Sequence, residues 1–168
     1  MANQTVNSSL IGANRSGSDA TALFALGTTV NASDGCTYQY VNATATLNTG
    51  NWCVINSASS AYMGMTARLT ASTDAGGGFG WAQNLINQSE YGWVAVRGRN
   101  LYIACTGTCT AGSELGFAFT TAGKIISAPV VGVGNTVLGL FITTSASTGT
   151  ASVAVGTLTW PRSVLMEG

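Results

Sequence analysis

The chain has 168 residues, a length typical of one domain. Six Lys and Arg residues balance six Asp and Glu residues, and charged residues make up only 7% of the chain, where globular chains average about 25%. This charge balance excludes a duplex nucleic-acid binder, which needs a basic surface to displace phosphate counterions. The absence of histidine excludes Ser-His-Asp, Cys-His and histidine–metal chemistry within one chain.

Hydropathy narrows the class of protein further. Hydrophobic residues make up 46% of the chain, which excludes an intrinsically disordered protein. No stretch approaches the roughly 20 continuous apolar residues of a membrane span, and the first residues lack the pattern of a secretory signal. We therefore expect a soluble protein made in a cytoplasm. Because zero net charge and few charges are unfavourable for a free monomer, we also expect a subunit of a larger assembly.

The first predicted unit, residues 1–30, is an N-terminal arm. It is polar, with isolated apolar side chains and no clean helix or strand period. A docking arm that contacts a partner surface is one interpretation, and a frayed terminus is the other. The apolar side chains that favour docking are Val6, Leu10, Ile11, Leu23 and Phe24.

The second predicted unit, residues 31–168, is an all-β domain. Short runs rich in β-branched and aromatic residues alternate with clusters of Gly, Ser, Asn and Asp. In chain order, the predicted strands are CTYQYVNA, NWCVIN, YMGMTARL, GWAQNLIN, EYGWVAVRG, RNLYIACT, ELGFAFTT, AGKIISA, NTVLGLFITTSA and ASVAVGTLTW. A helix is the alternative for YMGMTARL. We predict a hairpin that reverses at Gly98 and a loop over TDAGGGFG. Nine or ten strands at this spacing predict a small β-barrel or β-sandwich.

Few side chains indicate a catalytic or binding role. Arg97 and Arg99 are two apart on a predicted strand, which indicates either a solvated strand face or an inter-subunit salt bridge. The six acidic residues are isolated in turns or at strand starts, so a carboxylate pair could form only through the fold. We expect no catalytic site, no cofactor and no metal site. The tryptophans are predicted to lie in the core or a subunit interface: Trp52, Trp81, Trp93 and Trp160.

The four cysteines, Cys36, Cys53, Cys105 and Cys109, allow three pairings if all are oxidised. Only Cys105 and Cys109 are close in sequence, so the spacing does not favour a four-thiolate zinc site. Buried free thiols and disulfides formed after release from the cell both remain open.

Several motifs between residues 30 and 160 resemble the head decoration (cement) proteins of tailed bacteriophages. They are a G-x-x-Y-x-Y-V run at Gly35–Val41, E-Y-G-W-V-x-V-x-G at Glu90–Gly98, A-G-x-x-L at Ala111–Leu115, T-A-G-K-I at Thr121–Ile125 and V-L-G at Val137–Gly139. Their order and spacing carry the resemblance, since each motif alone is of low complexity. The long arm and the pair Cys105 and Cys109 depart from the usual pattern.

The resemblance implies a small β-tulip-like domain that binds the outer surface of an icosahedral head and clamps adjacent capsomers against internal DNA pressure. Its partners would be the major capsid protein and further copies of itself, as a homotrimer first and a dimer second, with no nucleic acid and no membrane. The implied location is the outside of the virion, after synthesis in the host cytoplasm. The alternative is a phage tail or fibre-associated structural domain that binds a host glycan.

Overall fold

The computed structural model describes residues 17–56, 60–63, 78–107, 109–112, 115–117, 122–127, 135–145 and 152–165. The described part of the chain contains ten β-strands. Their bounds are β1 Thr29–Asn31, β2 Thr37–Ala43, β3 Trp52–Ile55, β4 Ser60–Met63, β5 Gly78–Ala82, β6 Tyr91–Cys105, β7 Leu115–Phe117, β8 Ile125–Ser127, β9 Asn135–Thr144 and β10 Ser152–Leu165. Of the predicted loop TDAGGGFG, residues 73–77 lie outside the described residues. The prediction is wrong for Gly78, Phe79 and Gly80, which begin β5, because they pair with β3 and the Phe79 side chain is buried in the core.

The strands form one sheet in the order β1-β2-β4-β3-β5-β6-β10-β9-β7-β8. Most pairings are antiparallel, whereas β2 with β4 and β6 with β8 are parallel. The predicted all-β class and small single domain are confirmed. Over the described residues the sheet does not close into a barrel, so the barrel, one of the two predicted architectures, is not what forms.

The central strand is β6, with 15 residues. Ala95 pairs with Tyr38 of β2 and also with Trp81 of β5, so β2 and β5 lie on opposite edges of β6. Farther along, β10 continues the edge begun by β5, and Cys105 pairs with Ile125 of β8 on the other edge. One long strand therefore joins the strands that precede it to those that follow it.

The hairpin predicted at Gly98 is wrong, because β6 runs through this point without reversing. Gly98 has a φ of 147° and Asn100 a φ of 56°, and the register against β10 shifts between Gly156 and Leu158. These features define a β-bulge, which bends a strand and leaves it continuous. A side chain at Gly98 would overlap the buried side chain of Cys36, so the glycine serves a close approach of two segments.

The core lies on both faces of the sheet. Along β3, Trp52 and Val54 face the larger core cluster, and Cys53 and Ile55 face the smaller one. This double burial explains why NWCVIN is a continuous apolar run, since a strand buried on both faces has no polar side.

Candidate binding surface

One side of the strands β6, β10 and β9 carries a group of uncharged side chains that are exposed or partly exposed. Side chains alternate along each strand, so Ala154 and Leu158 of β10 point into the core while Val153, Val155 and Thr157 point away from it. The exposed fractions are 50% for Tyr102, 61% for Phe141 and 44% for Val153. We call the side formed by Tyr102, Phe141, Val153, Val155 and Thr157 the outer face.

The register of the strands brings these side chains together. Tyr102 of β6 lies opposite Val155 of β10, and Thr157 of β10 lies opposite Phe141 of β9. Val153 is two residues from Val155 on the same strand, so it shares their face. The five residues that define the outer face carry no charge, and a surface of this kind is suited to burial against another apolar surface.

Arg97 and Arg99 flank Gly98 at the bulge in the middle of β6. Arg97 lies opposite Thr159, which is two residues from Thr157 on β10, so Arg97 borders the outer face. Both arginine side chains are exposed, and Arg97 pairs through its backbone with Thr37 and Thr159. The carbonyl oxygen of Arg99 accepts a hydrogen bond from the Cys36 thiol at 3.5 Å. Exposure is compatible with both interpretations of the arginine pair, which stays a prediction.

Residues 17–28, which we call the N-terminal strap, contact the domain in this structure. Asp19 and Tyr91 exchange two backbone hydrogen bonds, of 2.8 and 2.9 Å. Gly27 and Thr28 both bond to the main chain of Tyr40, whose hydroxyl accepts a hydrogen bond from the amide of Leu23 at 3.2 Å. This part of the predicted arm therefore lies against its own domain.

The five apolar side chains of the predicted docking arm have different outcomes. Phe24 packs on its own domain, with its ring centroid 5.3 Å from those of both Tyr40 and Trp93. Leu23, in contrast, is 57% exposed and is free to meet a partner. Val6, Leu10 and Ile11 lie outside the described residues.

A polar cluster fixes the start of the strap and was not found by sequence reasoning. The Glu90 carboxylate accepts hydrogen bonds from the hydroxyl of Ser18 and from the side-chain amide of Asn87, the latter at 2.9 Å. The hydrogen bond from Ser18, and to a smaller extent that from Asn87, stabilises the carboxylate and lowers the pKa of Glu90 below its ordinary value. Ser18 and Glu90 are 72 residues apart, so the only local signal was the spacing of Asn87 and Glu90.

The cysteines form one disulfide, Cys105–Cys109, and leave Cys36 and Cys53 as buried free thiols. Burial raises the pKa of Cys53 to about 12. Burial, and then the charge of Asp34, raise the pKa of Cys36. Both thiols are therefore protonated and unreactive at neutral pH. The structure thus contains both of the states that the sequence left open.

The tryptophans of the described side chains belong to the core. Trp52, Trp81 and Trp93 are buried, which confirms the prediction for these three. The Trp52 indole nitrogen donates to the carbonyl oxygen of Lys124 at 2.9 Å. The side chain of Trp160 lies outside the described residues.

The described residues contain neither a cluster of metal-ligating side chains nor a membrane-spanning helix. No group of three or more His, Cys, Asp or Glu side chains there could hold a metal ion. No helix in this part of the chain is long and apolar enough to cross a membrane.

The fold and the outer face define an all-β domain with a partly exposed sheet surface, on which the exposed side chain of Arg97, opposite Thr159 of β10, borders the uncharged side chains. No protein-family model and no curated protein matches the chain.

Proposed function

We propose that the chain is a structural virion protein that binds the outer surface of an icosahedral phage head and clamps adjacent capsomers, without catalysis. The observation that carries the proposal is the ordered series of motifs from Glu90 to Gly139 that resembles head decoration proteins. Those motifs occur on β6, β7, β8 and β9 or immediately before them. These four strands are sheet neighbours, so the motifs share one region of the domain.

The outer face supplies the surface that such a role needs. Tyr102 and Phe141 expose aromatic rings, which are enriched in protein interfaces, and charged residues are depleted from interface cores. We propose that this face contacts the major capsid protein. Copies joined as a homotrimer, or second as a dimer, would bind through several faces at once and gain avidity from the raised effective concentration.

The direct test mixes the purified protein with expanded phage heads that lack it, sediments the heads and counts the copies bound per major capsid protein. We expect saturable binding near a simple ratio. Absence of binding at micromolar protein would reject the decoration role for those heads. Binding to a host glycan instead would support the tail or fibre alternative.

Matched variants test the face separately from the role. Tyr102→Thr and Phe141→Thr remove the exposed rings but keep good strand formers, and we expect each to weaken head binding about tenfold, the effect of losing roughly 1.4 kcal/mol. The control is Leu85→Thr, an exposed apolar residue outside the outer face, which we expect to bind as the parent does. Normal binding by both face variants would reject the face while leaving the role intact.

A separate deletion tests whether the arm contacts the capsid. Removing residues 1–16 takes away Val6, Leu10 and Ile11 while leaving the N-terminal strap on the domain. If the arm contacts the shell, we expect fewer copies per head at limiting protein. Unchanged occupancy would reject the arm as a capsid contact.

A further inference from the structure

The corner where β6 ends holds the Cys105–Cys109 disulfide and is paired with two other strands. Cys105 pairs with Ser152 of β10 and Ile125 of β8. The next amide, that of Thr106, donates to the carbonyl oxygen of Ile125 at 2.8 Å. Both cysteines and Ile125 are fully buried in the larger core cluster. We call this region the disulfide corner.

The segment that follows the disulfide is attached to β9 as well. The amide of Ala111 donates to the hydroxyl of Ser145, the residue after β9, at 3.0 Å. The covalent bond at Cys109 lies between the attachments at Thr106 and Ala111. Opening the disulfide would therefore free the middle of a segment whose two ends hold different strands.

We propose that Cys105 and Cys109 form a redox lock on the disulfide corner, closed by a low-molecular-weight disulfide and opened by two equivalents of a low-molecular-weight thiol, which reverse the closing steps and are oxidised to the small disulfide. In the closing step, the thiolate of one cysteine attacks a sulfur of the small disulfide and releases one small thiol. The second cysteine then attacks the resulting mixed disulfide, forms the Cys105–Cys109 bond and releases the second small thiol. Two electrons pass from the cysteines to the small disulfide, and the two cysteine protons end on the released thiols or in solvent.

Of the four cysteines, Cys105 and Cys109 are the two whose positions suit this disulfide. The Cα atoms of Cys105 and Cys109 are 6.2 Å apart, within the range that a disulfide spans. Cys53 is fully buried on β3 and directs its thiol to the carbonyl oxygen of Gly80 at 3.4 Å. Cys36 directs its thiol to the carbonyl oxygen of Arg99. Both sulfurs of the lock are buried, so exchange requires the corner to open locally first.

The Cys105–Cys109 disulfide should raise the free energy of unfolding by reducing the conformational entropy of the unfolded chain. Closing a loop of about five residues lowers the unfolding equilibrium constant by ~30-fold in the chain-entropy account. The effect on local opening should be largest at the amides of Thr106 and Ala111, which flank the covalent bond. The strap and the β2–β6 pairing, at the far end of β6, should respond only through global unfolding.

The test uses the full chain equilibrated with oxidised glutathione or with a phosphine reductant. Thiol counting in denaturant should give two thiols after oxidation and four after reduction. Urea unfolding should show an unfolding constant about 10- to 30-fold smaller for the oxidised protein. Hydrogen exchange at Thr106 and Ala111 should quicken on reduction by more than it does at Tyr40. Four thiols after equilibration with oxidised glutathione, or equal stability in the two states, would overturn the lock.

Two variants assign the effect to the pair. Cys109→Ala should be insensitive to the reductant, and Cys53→Ala, which removes a buried thiol outside the lock, should keep the full response. A reductant response in Cys109→Ala, or its loss in Cys53→Ala, would also overturn the proposal. Should Cys109→Ala fail to fold, the oxidised and reduced parent chains still decide the question. Thiol number and stability are measured without phage heads, so the result is independent of the proposed function.

Discussion

The side-chain amide of Gln83 pairs with the main chain of Tyr102 as a neighbouring strand would. Its oxygen accepts from the Tyr102 amide at 2.8 Å, and its nitrogen donates to the Tyr102 carbonyl oxygen at 3.2 Å. β2 and β8 pair with the same edge of β6, and Tyr102 lies in the gap between these two pairings. In the same gap the amide of Ala104 donates a hydrogen bond to the carbonyl oxygen of Gly50. Side-chain and loop groups therefore satisfy the hydrogen bonds of this edge, which none of the described strands covers at this point.

Replacing Gln83 by methionine should destabilise the domain by about 1–2 kcal/mol, because two hydrogen bonds are lost while the side-chain volume is kept. Urea unfolding measures the loss, and hydrogen exchange should quicken at the Tyr102 amide. The matched control is Gln88→Met, which changes an exposed glutamine five residues later and should be nearly neutral. Equal stability of the two variants would show that the Gln83 amide does not act as an edge partner.

Replacing Phe24 by alanine should destabilise the domain by about 1–3 kcal/mol, less than for a fully buried phenylalanine because Phe24 is half-buried. Its contacts with Tyr40 and Trp93 join the strap to the core. Leu23→Ala is the control, since Leu23 is the exposed neighbour. Tryptophan fluorescence during urea unfolding would measure both; a neutral Phe24→Ala would contradict a packing role for the strap.

Replacing Gly98 by alanine should destabilise the domain severely, by more than about 3 kcal/mol, because the new methyl group would overlap Cys36 and the φ of 147° is unfavourable for alanine. The double variant with Cys36→Gly should recover part of this loss by making room. Thermal unfolding of the two single variants and the double variant tests the coupling. Additive effects would show that strain at Gly98, rather than contact with Cys36, dominates.

Stability should fall in acid partly through Glu90. Because the folded-state pKa of Glu90 lies below its ordinary value of 4.5, its contribution is present above about pH 4.5 and is lost as the pH falls through the lower, folded-state pKa. Glu90→Gln should therefore flatten part of the decline in urea midpoint between about pH 5 and pH 3. A variant with the same slope as the parent would contradict the assignment of this pH dependence to Glu90.

The strands were largely predictable from the sequence, whereas contacts between distant segments were not. The runs at β2, β3 and β6 combine β-branched and aromatic residues with turn residues between them, so their local preference agrees with the fold. The sequence around Gly98 predicts a turn because a glycine required for close approach to Cys36 has the same local signal as a glycine that reverses a chain.

For the outer face, too, the strands were predictable from the sequence and the contacts between distant segments were not. The alternation in β9 and β10 is visible in the sequence, but which side is solvated depends on the register with β6 and on the core beneath. The packing of Phe24 on Tyr40 and Trp93 was hidden for the same reason, since its partners are distant in sequence. The Cys105–Cys109 spacing drew attention to that pair, but the buried states of Cys36 and Cys53 required the fold.

The two-sided pairing of β6 also sets a problem for biosynthesis. One edge of β6 pairs with β10, which begins only at Ser152, so on the ribosome β6 emerges well before this partner exists. Until then an apolar strand has an unsatisfied edge, which is the usual starting point for strand-to-strand aggregation. Synthesis of this protein should therefore be sensitive to translation rate and to chaperone supply between the emergence of β6 and that of β10.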